Sequence, residues 1–232
     1  MAPSDPDERH LIATHILDHE HPAIRRFAAT LPQSSSTIEG LREAHRAIAR
    51  RIVPVYSVHE QQPASRTLAR GRGSCSQRFA VLEAVARANG IATRVRAMEI
   101  QGSFWYPRFR MLRPLVPRRV ILVWPAFRVE AGWLDVSELF PPAALPQSFT
   151  NDGETLFDAV GHVTIDWDGR HASPSCDLSG VVGRDLGTFA CRDDVFAEHR
   201  TSRTWLLAIA DPILRRWTPR SSRADRRLSL GA

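Results

Sequence analysis

The sequence predicts an α+β fold. Residues 71–90 pass from a glycine- and serine-rich loop, Gly71-Arg72-Gly73-Ser74, into an apolar helix that starts at Cys75 and stops at Gly90. Three runs rich in β-branched and aromatic residues follow, over 93–100, 119–129 and 133–140. Glu130-Ala131-Gly132 reads as a hairpin turn between the last two. A helix leading into antiparallel strands is the α+β arrangement.

From the N-terminus, residues 5–31 read as one or two helices. Leu11, Ile12, His15, Ile16 and His19 recur at helical spacing behind Ser4 or Asp5 as cap. Pro22 opens a second short helix with Ile24, Phe27 and Leu31 on one face. The tract 32–36 is a loop, and Ser36 followed by Glu39 forms a capping-box signature. The helix it opens carries Ile38, Leu41, Ala44, His45 and Ile48 and stops before Pro54. An extended piece at 55–58 and a short helix near 64–69 precede the Cys75 loop. Residues 101–118 form an insertion between strands that is rich in arginine and aromatics. Residues 141–158 are proline-rich and then polar. Residues 161–169 read as another strand, with Val163, Ile165 and Trp167 alternating. Residues 194–217 read as a closing helix, and the Arg/Ser-rich tail 218–232 as disordered. The division expected is a helical extension over 1–35, a main domain over 36–217 and the tail.

With 232 residues, 43% of them hydrophobic, the chain can build one domain with a substantial core. No run of about 20 apolar residues suggests a membrane span. The polar, acidic start does not resemble a signal peptide, so a cytoplasmic location is expected. Three cysteines, Cys75, Cys176 and Cys191, do not make a disulfide framework. The net charge is +6, and all 31 basic residues are arginine. Charge of this kind bears on solubility and non-specific binding, and no nucleic-acid-binding motif accompanies it. His15 and His19 share a metal-ligand spacing, but His-Ile-Leu-Asp-His lacks the glutamate of the zinc-peptidase pattern, so a solvated helix face is expected. No cofactor is expected.

Cys75 is the chemical centre of the sequence. The first turn of a helix offers unpaired N–H groups and a positive dipole end. Both favour the thiolate, and the same N–H groups can hold an oxyanion. The alternative is a small core cysteine without chemistry.

The stretch around Cys75 resembles the transglutaminase-like superfamily, whose core is papain-like. Leu68, Gly71, Gly73, Cys75, the apolar face of Phe79, Leu82 and Ala86, and the run Arg87-Ala88-Asn89-Gly90-Ile91-Ala92-Thr93-Arg94 carry the likeness. A second block, Gly132-Trp133-Leu134-Asp135, is similar to the segment holding the family's acidic triad member. The resemblance spans roughly residues 40–140. It implies a Cys-bearing helix packed on an antiparallel sheet, flanked by N-terminal helices and a C-terminal helix. It also implies acyl transfer through a Cys75 thioester, with Asp135 orienting an imidazole. The family's histidine belongs on the preceding strand, where this chain has Leu122 and Val123 and no histidine over 119–129. Asp135 can equally cap the loop that follows it.

A base for the thiol has three candidates. His162 opens the expected 161–169 strand, His59 lies in the segment leading to Cys75, and His45 falls on the apolar face of its helix, where a core role is expected. Without an imidazole, a thioester is an easier acyl donor than an amide, because its leaving thiolate needs no proton. Trp105 and Tyr106 are candidates to line an acyl pocket, with Trp124 and Trp133 packed in or beside the site. Arg108 and Arg110, with Arg113, Arg118 and Arg119, offer a face for an acidic carrier or a phosphate-bearing arm, or else a solvated loop. The expected partners are an acyl donor (a carrier-bound thioester or a peptide amide) and an amine or water as acceptor. They suit a bacterial biosynthetic setting. A catalytically inactive binding relative is the alternative.

Overall fold

The structure is a computed structural model, which describes residues 8–55, 59–111, 113–130, 132–141, 148–170 and 175–199. Helices α1 (Pro22–Ala29), α2 (Thr37–Arg51), α3 (Ala64–Arg70) and α4 (Cys75–Ala88) come first, with short strands β1 (Val53–Pro54) and β2 (Arg72–Gly73) between them. Strands β3 (Thr93–Gln101), β4 (Arg119–Val129) and β5 (Gly132–Asp135) follow. Then come α5 (Leu156–Ala159), β6 (Ile165–Asp166), β7 (Cys176–Asp177), β8 (Val182–Phe189) and α6 (Arg192–Glu198). The main sheet is antiparallel in the order β5-β4-β3-β8. β3 and β4 pair without a break from Thr93 opposite Phe127 to Gln101 opposite Arg119.

Helix α4 is the centre of this α+β architecture. Every residue from Ser76 to Arg87 is buried. A helix buried all round needs partners for each charge it carries. Arg78 pairs with Asp158 at 2.7 Å and Glu83 with Arg192 at 2.6 Å. Arg87 donates to the carbonyls of Ile12, Thr93 and Ala190 and to the Thr93 hydroxyl. One core cluster joins α1 and α2 to Phe79, Trp124, Phe127 and Phe157. A second packs Ile16, Leu17, Val195 and Phe196 against Ala80, Val95, Ala97 and Val123.

Four expectations need correction. Residues 11–21 form no helix, because their backbone bonds are drawn elsewhere. Ile16 N–H donates to Asp193, Ala64 N–H donates to the Ile16 carbonyl, and Ser65 N–H donates to Asp18. His15 and His19 therefore lose their shared helix face. The expected 161–169 strand shrinks to β6, which among the described residues pairs only with β7 and leaves His162 in the turn after α5. The strand expected over 133–140 ends at Asp135, where a 3-10 turn begins. The closing helix begins at Arg192 and is described to Glu198; its expected remainder over 200–217, the tail 218–232 and residues 56–58 of the extended piece expected at 55–58 lie outside the described residues. Strand β8 was not anticipated.

Helix α2 does match its expectation, and Ser36 accepts from Glu39 N–H at its start. Its buried His45 stacks on Phe157 at 4.3 Å, and its Nε2–H donates to the Phe157 carbonyl at 2.6 Å. Burial brings the His45 pKa down to about 4, against the Phe157 bond and helped by Arg78. A depressed histidine stabilises the fold above its unfolded pKa of about 6.5 and loses that contribution as pH falls through 4. Wild-type stability is expected to drop by about 3 kcal/mol from this group between those limits. Urea unfolding of His45→Gln should give a shallower slope over the same pH range.

Candidate active site

A short, constrained run of chain delivers Cys75. Helix α3 ends at Gly71, whose φ of 61° is the left-handed conformation that glycine adopts without strain. β2 then runs parallel to β1, with Val53 N–H donating to the Gly71 carbonyl at 2.9 Å and Val55 N–H to the Gly73 carbonyl at 3.0 Å. A Cβ on Gly73 would stand 2.7 Å from Thr67 Cγ2, so glycine is needed where β2 crosses α3. Ser74 caps α4 in a full capping box: its side chain accepts from Gln77 N–H, and Gln77 Oε1 accepts from Ser74 N–H. Gln77 Nε2 also donates to the His59 carbonyl at 2.8 Å, which ties the preceding loop to the first turn. Cys75 is half-buried at the first helical position.

The sulfur sits among charges. Burial pushes the Cys75 thiol up to about 12, and the Glu60 carboxylate pushes it the same way. The Ser76 backbone N–H, Arg78 and Arg192 act in the opposite direction without cancelling the rise. At rest the group is a thiol. The helix start alone does not leave a primed thiolate, because desolvation of the charged form outweighs the partial charge of a helix end.

Arg192 organises the floor of the site. It has no exposed side-chain surface, and neither has Glu83. Nε donates to Glu83 Oε1 at 2.6 Å, Nη1 to Ser76 Oγ at 2.9 Å and Nη2 to the Val123 carbonyl at 3.4 Å. The last contact falls at the place on β4 where the resemblance puts an imidazole. Burial lifts the Glu60 carboxyl above its ordinary range, opposed by the Ser76 hydroxyl and by Arg192.

The other sequence-predicted residues are placed as follows. Trp124 is buried on β4 and meets Phe79 at 5.4 Å, on the α4 face one turn from Cys75. Its Nε1–H donates to Asp135 Oδ1 at 2.6 Å. The same oxygen accepts from Ser137 N–H and the Ser137 hydroxyl, both at 2.9 Å. Asp135 thus caps the 3-10 turn and holds an indole, and among the described residues no histidine bonds it. Burial lifts its carboxyl to about 6, with the Ser137 and Trp124 bonds opposing.

His162 Nε2 lies 2.7 Å from Glu154 Oε1, in the turn after α5. His59 is exposed, with its carbonyl engaged by Gln77. Trp105 packs edge-on to Phe104 at 4.8 Å, and Tyr106 lies under the Arg113 guanidinium. Arg108 turns inward to the Asn151 and Glu154 carbonyls, and burial brings its pKa down to about 10. Arg110 is exposed and donates to the Pro107 carbonyl. Among the described residues no group of three or more His, Cys, Asp or Glu side chains could hold a metal ion. No described helix is long and apolar enough to cross a membrane.

Sequence reasoning missed Glu60, Ser76, Glu83 and Arg192. Glu83 gave one signal, a carboxylate inside the otherwise apolar run from Phe79 to Ala86. Glu60 and Arg192 gave none, because their relation to Cys75 exists only once the chain has folded.

Neither a curated protein nor a solved structure gives a significant match. Among protein families, residues 25–137 match the Transglutaminase-like superfamily. That span runs from α1 to the turn capped by Asp135, and includes Cys75, α4 and three strands of the sheet. Residues 25–137 of this chain are a transglutaminase-like superfamily domain.

Proposed function

We propose that the protein is a cysteine-dependent acyl-transfer enzyme in which Cys75 forms a thioester with the acyl donor. The observation that supports this most directly is the position of Cys75. It is the first residue of α4, half-buried, at the N–H end of a fourteen-residue helix, inside a domain of an acyl-transferring superfamily. Attack of the sulfur on the acyl carbonyl expels an amine or thiol, and an amine or water then takes the acyl group. The N–H groups of the first turn of α4 are suited to the tetrahedral oxyanion. Trp105 and Tyr106 remain candidates for an acyl-binding wall, and exposed Arg110 for docking an acidic donor. Arg108 serves the fold by holding the 151–154 loop.

A second reading, a binding protein without turnover, draws on the Asp135–Trp124 bond, which occupies an acid the family uses to orient an imidazole. One experiment separates the two. Purified protein treated with p-nitrophenyl acetate is expected to gain an acetyl mass on Cys75 and to release nitrophenolate over many turnovers. Cys75→Ala should lower turnover by at least about 100-fold. Equal turnover in both proteins would leave only the binding reading.

A further inference from the structure

We propose that the pocket between α1 and the C-terminal end of α4 binds the phosphoryl group of a small phosphorylated ligand. The site is separate from Cys75 and does not rest on the acyl-transfer reading. Helix α4 has 14 residues at about 1.5 Å each, which puts the pocket roughly 20 Å from Cys75.

The pocket has a volume of about 390 Å³ and is lined by His19, Arg25, Arg87, Asn89 and three alanines. That volume is at the small end of the roughly 300–1,000 Å³ typical of small-molecule sites. Its basic side chains come from three segments. His19 comes from the chain before α1, Arg25 from α1 and Arg87 from the last turn of α4. Among the described residues no carboxylate joins the lining.

Neither guanidinium is bonded to an acid among the described residues. Arg87 is buried and spends its donors on neutral oxygens: Nε on the Thr93 hydroxyl, Nη1 on the Ile12 carbonyl, and Nη2 on the Thr93 and Ala190 carbonyls. A guanidinium has five N–H groups, so one on Nη1 is left over. The charges of Glu83, Asp193 and Asp194 reach Arg87 through space. Glu83 is bonded by Arg192, however, and Asp193 by the Thr14 hydroxyl and Ile16 N–H. Arg25 is exposed and has no ion pair among the described residues.

His19 registers the positive field. Burial lowers its pKa, and the charges of Arg87 and Arg25 lower it further, against Glu20 and the Leu17 backbone. Glu20 is exposed and stands outside the lining. The uncharged ring still offers one N–H.

The C-terminal end of a helix is the wrong pole for an anion. Here its carbonyls are covered. Val85 accepts from Asn89 N–H and Nδ2, Ala86 from Ile91 N–H and Arg87 from Gly90 N–H. The two guanidiniums therefore set the sign of the pocket. Two permanent cations match a dianion. Donors from three segments suit a tetrahedral group, whereas a planar carboxylate is satisfied by one arginine fork. The alanines leave an uncharged wall for the carbon part of a phosphomonoester.

Calorimetric titration of the full chain with inorganic phosphate and with phenyl phosphate tests this, in about 0.15 M chloride to screen diffuse charge. Saturable binding is expected, with a Kd near or below about 1 mM. Arg25→Gln should weaken it about tenfold, the loss of one charge-assisted contact. Arg26→Gln removes an exposed arginine of the same helix that is outside the lining, and should leave the affinity unchanged, as should Cys75→Ala. Acetate should bind at least about tenfold more weakly than phosphate. Phenyl phosphate binding more tightly than phosphate identifies a phosphomonoester as the ligand; phosphate binding as tightly or more so identifies the free ion. Circular dichroism melts check that the variants fold. No saturation by about 10 mM of either probe, an equal loss in Arg25→Gln and Arg26→Gln, or acetate binding as tightly as phosphate would overturn the assignment.

Discussion

Replacing Arg192 with methionine is expected to cost the fold about 3–5 kcal/mol. The guanidinium and Glu83 are both without exposed surface, and Glu83 sits mid-helix with hydrocarbon around it. Removing the cation strands a buried carboxylate. It also strips a donor from Ser76 and one from the Val123 carbonyl. A loss of that size in a domain of this length lowers the melting temperature by roughly 6–20 °C. Burial already raises the Glu83 carboxyl, against the pull of Arg192, and the variant lacks that pull. A raised carboxyl contributes its stability below the unfolded pKa and loses it as pH rises. The Arg192→Met penalty should therefore shrink in acid and be full at neutral pH. Urea unfolding at both pH values checks this. The double variant Arg192→Met, Glu83→Leu should regain much of the loss, since removing both charges of a buried pair is far milder than removing one.

Asp158→Asn should come second, at about 3 kcal/mol. Arg78 has no exposed side-chain surface and grips Asp158 through both terminal nitrogens, at 2.9 and 2.7 Å. Its guanidinium lies 4.2 Å from the Phe157 ring centre. An arginine does not shed its proton to escape burial, so the variant keeps a cation with half its partners gone. Burial raises the Asp158 carboxyl, but the Arg78 fork more than offsets that and holds it below the ordinary range. The linkage therefore has the opposite sign to that of Glu83. The Asp158 contribution is full above the unfolded carboxylate pKa and vanishes as pH falls through the folded one. Wild type and Asp158→Asn should converge in stability at strongly acid pH and diverge above it, as guanidinium chloride titrations would register.

The legible parts of this fold were those whose signals are local. Ser36 with Glu39, and Ser74 ahead of Gln77, mark helix starts by chemistry within one turn, and both helices begin where they should. The uninterrupted run 119–129 is long and β-branched, and it is β4 to the residue. Strand β8 was not legible. Gly183 and Gly187 break its pattern, and its order comes from β3 and from Arg96, which grips Asp185 and Asp168. The 11–19 periodicity misled for a related reason. Ile16 and Leu17 are both buried, as neighbours in an irregular segment of bends and turns rather than on a helix stripe.

In the site, Cys75 stood out by its glycine-flanked helix start. Asp135 stood out through the resemblance, but its partner is an indole. Glu60 and Arg192 lie 15 and 117 positions from Cys75, and no spacing rule connects residues so far apart.

The contacts of α4 also bear on how this molecule can be divided. Its family-matched span stops at 137, yet Asp158 and Arg192, which neutralise the helix's interior charges, both lie beyond that point. An excised 25–137 fragment would carry Arg78 and Glu83 in a half-built interior with neither counterion. Kinship and autonomy have different borders in this chain: the later segment completes the inherited unit and belongs in any piece meant to stand alone.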